Sequence, residues 1–132
     1  MQRDFVALLL ADSAIAGRFG TRIHWVERPQ GSGLPAAVLY IVSEVNKYTT
    51  QAPDRLVMTR VQIDVFADTY ADADQAFRVL KAKLNGYRGV SGSTEFAGVF
   101  IDRRRDQRVA GANDADRMFR VSTDVLIHHK EI

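Results

Sequence analysis

The clearest pattern in the chain lies between residues 56 and 67. There Val57, Thr59, Val61, Ile63 and Val65 alternate with Met58, Arg60, Gln62 and Asp64. A period of two with β-branched residues on one side describes a half-buried strand. The period then changes. In DTYADADQAFRVLKAKLNG, Ala73, Phe77, Leu80 and Leu84 form a helical stripe. Asp68 or Thr69 can cap its start, and Asp72 and Asp74 sit in the first turns, where the helix dipole favours negative charge. Lys81 and Lys83 come near the end, and Gly86 fits the position after the cap. These signals predict a helix over residues 69–85.

The rest of the chain falls around this pair. Phe5, Leu8, Leu9, Ile15 and Phe19 fit one stripe of a helix over residues 2–18, with Gly17 and Gly20 as its stop. Residues 22–26 read as a short strand, and the stretch RPQGSGLP at 28–35 as a loop. Residues 36–48 are apolar on both sides at first, with Val38, Tyr40 and Val42 facing one way and Leu39, Ile41 and Val45 the other, as in a central strand. A polar turn at 49–55 makes that strand and the next a hairpin. Residues 87–93 read as a flexible connection, and 94–105 as a strand with Phe96, Gly98 and Phe100 opposing Ala97, Val99 and Ile101. A loop tip spans 106–116. The last strand covers 117–129, with Phe119, Val121, Thr123, Val125 and Ile127 opposing Arg120, Ser122 and Asp124. The order α-β-β-β-α-β-β predicts an α+β fold in one domain, residues 1–132. Its mainly antiparallel sheet has four to five strands, with two helices on one face. The other sheet face is polar, and is either solvated or buried against another subunit.

Charge narrows the functional classes. Lys and Arg total 18 against 16 Asp and Glu, a net +2. Arg103, Arg104, Arg105 and Arg108 against Asp102 and Asp106 give 4 minus 2, so the whole excess sits in FIDRRRDQRV. A general polyanion binder spreads positive charge over a face; here it is one short cluster diluted by aspartates. Three readings of the cluster follow in order: a solvated strand end with the aspartates as partners, an inter-subunit contact, and contact with DNA phosphates. On a strand, Arg103 and Arg105 project to one side and Arg104 to the other.

Motifs for chemistry are absent from the sequence. Without cysteine there is no disulfide framework, thiolate nucleophile or cysteine zinc site. His128 and His129 are adjacent, so on a strand they face opposite ways and do not grip one metal; His24 is remote in sequence. Asp64, Asp68, Asp72 and Asp74 lack the glycine and glutamate of a calcium loop. There is no nucleophile elbow, phosphate-binding loop or dinucleotide fingerprint. The expectation is no catalytic residue, no cofactor and no metal. No stretch approaches the roughly 20 apolar residues of a membrane span, and the N-terminus fits a signal peptide poorly.

The order of these segments resembles the tail-completion family of long-tailed phages. That family includes tail terminators and tail-to-head joining proteins, with relatives in prophages and gene transfer agents. The matching stretches are FVALLLADSAIAGRFGTRIHW, ERPQGSGLPAAVLYIVS, RLVMTRVQIDVFADTYADADQAFRVLKAKLNGYRG and DRMFRVSTDVLIHH. The resemblance implies a structural virion protein without catalysis, made in the bacterial host cytoplasm and placed at the tail–head junction. It implies a homo-oligomeric ring, a hexamer in many relatives, with DNA only in transit through the lumen. Its further partners would be the major tail tube protein and the head connector or stopper protein, with no membrane. A ring needs two different patches per subunit, and the loops at 28–35, 49–55 and 106–116 with an edge strand can supply them. The interface candidates are Asp102, Arg103, Arg104, Arg105, Asp106 and Arg108, together with Tyr48, Arg60 and Asp64. The alternatives are a small-molecule-binding module or enzyme with a pocket lined by His24, Trp25 and Tyr40, and a nucleic-acid-binding domain using the arginines.

Overall fold

The structure, a computed structural model, describes residues 1–29, 33–48, 53–109 and 118–132. Among these residues it contains three helices and six strands: α1 (Gln2–Leu10), α2 (Ser13–Phe19), β1 (Ile23–Trp25), β2 (Ala36–Tyr48), β3 (Pro53–Ala67), α3 (Tyr70–Leu84), β4 (Gly89–Ser91), β5 (Thr94–Val109) and β6 (Met118–Glu131). The sheet order is β1-β2-β3-β6-β5-β4. The α+β class and the single-face helical layer stand. The counts differ from expectation, and so does one pairing: β1 runs parallel to β2, while the other pairs are antiparallel.

The departures fall at particular points of the chain. The first helix is broken at Asp12, whose carboxylate accepts from the N–H groups of Ala14 and Ile15 at 3.0 and 3.2 Å. That cap starts a second helix in mid-stripe. Residues 89–91 of the expected flexible connection pair with 94–96 as β4. Part of the expected turn at 49–55 is strand, since residues 53–55 open β3, and 49–52 lie outside the described residues. Residues 106–109 likewise continue β5, and 110–116 lie outside the described residues, as do 30–32 of the first loop.

The helical layer covers one sheet face. Val61, Ile63, Val65, Val121, Val125 and Ile127 from the sheet meet Phe5, Leu9, Ile15, Phe19, Phe77, Leu80 and Leu84 from the helices, all buried. The helix over α3 starts and stops as the sequence predicts. Thr69 Oγ accepts from the Asp72 N–H at 3.2 Å, and the chain turns at Asn85 and Gly86, whose φ is +82°. At the far edge, Asp4 of α1 accepts from Thr94 Oγ at 2.6 Å and Ser93 Oγ at 3.3 Å, and its carbonyl accepts from Ser91 Oγ at 2.9 Å. The turn below the carboxylate is held by Gly92 at φ +57°, where an added Cβ would collide with it.

Irregularities redirect the faces of two strands. β5 shifts register between Phe96 and Gly98, so Phe96 and Val99 are both buried on the helix side and Phe100 is left exposed on the other. This corrects the strict alternation expected for residues 96–101, and an extra residue in one strand is what changes the parity. β2 shifts between Ile41 and Ser43. Its reading as a central strand holds for Ala36 to Leu39, flanked by β1 and β3. Past Leu39 no described strand covers its outer edge.

His129 is 5% exposed and points into the helix side, its Nε2 2.8 Å from Thr59 Oγ and its Nδ1 without a partner among the described residues. Burial, reinforced by the N-terminal charge, pushes its pKa below 6.5. The unfolded chain therefore takes up a proton first as pH falls. Stability is full above about pH 6.5 and declines from there until pH passes the lower folded pKa. Denaturation midpoints measured from pH 8 to 5 should fall in the wild type, and much less in His129→Gln. Parallel curves for the two would place the pH sensitivity elsewhere.

Candidate functional site

The sheet face away from the helices collects most of the interface candidates. Register sets Gln62 opposite Asp124, Asp64 opposite Ser122 and Arg60 opposite Leu126. On the other side of β6, Arg103 stands opposite Asp124 and Arg105 opposite Ser122. A second irregularity in β5, between Ile101 and Arg103, gives these arginines that face. Arg60 bridges two carboxylates, Asp102 at 2.7 Å and Asp124 at 3.4 Å. Arg103 lies 3.8 Å from Asp124 and 3.9 Å from Asp102, and Arg105 lies 3.5 Å from Asp124. The hydrogen bond from Arg60 holds the Asp102 carboxyl below the usual carboxylate range.

Arg104 belongs to the opposite face. Its guanidinium reaches Asp74 at 2.7 Å and Asp106 at 2.8 Å, and stacks over the Phe77 ring at 4.7 Å. Tyr70 donates its hydroxyl to Asp106 at 2.7 Å. The bonds from Arg104 and then Tyr70 lower the Asp106 pKa from its ordinary value, and the bond to Asp106 raises the Tyr70 pKa. Arg104 thus ties β5 to the start of α3. Separation of Arg104 from Arg103 and Arg105 follows from strand geometry; its two α3 partners, Tyr70 and Asp74, were not visible as such in the sequence. Only their position in the first turns of a helix beside a cationic strand hinted at them.

The remaining candidates divide. Arg108 is exposed, with no ion pair among the described residues. Asp64 is 3% exposed, accepting from Ser122 Oγ at 2.6 Å and Gln62 Nε2 at 2.9 Å, so it acts inside the sheet face. The backbone of Tyr48 pairs with Pro53, and its side chain lies outside the described residues. Beyond the charged cluster the same face turns apolar. Val45 is opposite Met58, Met58 opposite His128, and Leu126 opposite Phe100, whose ring meets that of His128 at 6.1 Å.

The pocket expected from His24, Trp25 and Tyr40 is not assembled. Trp25 faces the helices, against Phe5, and donates its indole N–H to the Gln2 carbonyl at 3.0 Å. His24 pairs with Val38 and Tyr40 with Gln62, which puts both on the other face. Among the described residues no three His, Asp or Glu side chains are grouped to hold a metal ion. Among the described residues no helix is long and apolar enough to cross a membrane.

The arrangement offers a charged and apolar surface suited to contact with other proteins. Comparison with known proteins points the same way. The family model described as "Tail completion protein gp17" matches residues 3–129. Among solved structures, a chain from "Virion of native gene transfer agent (GTA) particle" superposes with a TM-score of 0.79. It is 20% identical and the match covers 98% of this chain and 94% of that one. None of the curated proteins matches in sequence.

Proposed function

Given that the chain belongs to the tail completion protein family, whose members are structural parts of the virion tail, we propose that it ends the tail tube and forms the joint to the head. In this reading it works as a hexameric ring around the DNA channel. The tail tube protein lies on one side and the head connector or stopper on the other, and DNA passes through without being held. The observation that carries the reading is the family match over residues 3–129. It is supported by the mixed charged and apolar sheet face, which suits contact between subunits better than a solvent-facing surface does.

The arginine cluster then acts in assembly. Arg103, Arg105 and Arg108 are exposed, while Arg104 is engaged with α3. Replacing Arg103, Arg105 and Arg108 together with alanine should lower the thermal unfolding midpoint without unfolding the protein, since Arg60 still pairs with Asp124 and exposed ion pairs contribute at most about 1 kcal/mol each. The same variant should lose binding to purified tail tubes, read by co-sedimentation and microscopy. Normal assembly together with lost double-stranded DNA binding would make the cluster a phosphate contact instead.

A further inference from the structure

The sheet has two open edges that differ in direction and in charge. On β2, the Ala37 N–H and the Leu39 C=O turn outward to residues 22 and 26. By alternation the outward groups continue at Ile41 and, past the register shift, at Glu44 and Asn46. Among the described residues no strand pairs with these outward groups. The segment nevertheless exposes apolar side chains on both faces, with Val42 at 53% and Val45 at 49%. A long apolar edge in this state is a template for another strand.

At the other end of the sheet, β5 is covered by β4 only over Thr94 to Phe96. Val99 is satisfied by Gly86 and Tyr87, and the Ile101 N–H by Asn85. After the second irregularity the outward backbone groups are those of Arg104, Asp106 and Arg108.

We infer that the outer edge of β2, at residues 41–46, pairs with the outer edge of β5, at residues 102–109, of a second copy of this chain. Three observations select that occupant. Residues 41–46 carry one charge, Glu44, a net −1; residues 102–109 carry four arginines and two aspartates, 4 minus 2, a net +2. The β5 edge therefore repels a second copy of itself, whereas β2, in which Lys47 offsets Glu44, does not repel it. β2 and β5 run in opposite directions in the sheet. Copies related by rotation about a ring axis therefore bring the two edges together antiparallel. Finally, the register sets Ile41 level with Val61, Val125 and Ile101, so the open parts of the two edges are staggered. A sheet closing on itself around an axis requires such a stagger. The pairing is heterologous and closes into a ring.

This inference rests on the ring reading, and its tests separate the two. Proline at position 44 removes an outward N–H without breaking the β2–β3 ladder, a placement that edge strands tolerate. Glu44→Pro should remain a folded monomer by circular dichroism and lose ring formation by native mass spectrometry and on tail tubes, whereas Glu44→Ala should still form rings. Rings from Glu44→Pro equal to wild type would overturn the pairing. Because the chain has no cysteine, a second measurement is clean and does not depend on that variant. Asn46→Cys combined in turn with Arg104→Cys, Asp106→Cys or Arg108→Cys should give an oxidised ladder beyond dimers in at least one pair, and none from the single variants. Rings seen by microscopy with no ladder in any pair would refute the pairing and leave the ring reading standing. Absence of any oligomer, on tail tubes as well as free, would refute both.

Discussion

Replacing Phe5 with alanine should lower the stability of the folded chain by about 3–5 kcal/mol, a large share of the roughly 5–15 kcal/mol typical of a single domain. Phe5 has no exposed surface. Its ring lies 6.4 Å from Trp25 and 6.1 Å from Phe96, so one side chain joins α1 to β1 and to β5. Truncation removes that transfer energy and opens a cavity among aromatic rings, which are too stiff to collapse into it. Urea denaturation should show a lower midpoint with a nearly unchanged slope. A loss under about 1 kcal/mol would mean that α1 is not docked on the sheet in solution.

Asp64→Ala should cost about 1–3 kcal/mol and leave assembly intact once the protein is folded. The carboxylate is buried on the polar face, and both Ser122 and Gln62 donate to it. Alanine leaves those donors facing an apolar methyl. Asp64→Asn keeps one acceptor oxygen and should fall between the two. Thermal unfolding of the three proteins gives the order directly. An alanine variant of wild-type stability that fails to assemble would instead put the carboxylate in contact with a neighbour.

The two substitutions also mark where sequence reading succeeds. Period and capping were enough for β3 and α3, because each buries one face against a single partner layer. The same rules put Arg104 across the strand from Arg103 and Arg105. They were blind to the break at Asp12: Phe5, Leu9, Ile15 and Phe19 fit one stripe whether or not a carboxylate interrupts the helix. β4 is three residues long and has no period to read. The register shifts in β2 and β5 arise from pairing between distant segments, and no local composition announces them. For the site, the apolar run at Ile41, Val42 and Val45 suggested burial on both sides. Those residues lie on an open edge, and sequence cannot tell a strand covered by its own fold from one left for another chain.

The long pairing of β5 with β6, from Thr94 opposite Glu131 to Val109 opposite Met118, has a mechanical consequence. A pull directed along the strands loads the cross-strand bonds of the whole ladder together, and they must yield in concert. A pull at right angles opens the ladder from one end, one pair after another, at far lower force. β3 lies against β6 in the same geometry. The protein is therefore stiff along one axis and compliant across it. In the proposed joint, its strength would depend on the direction from which the load arrives.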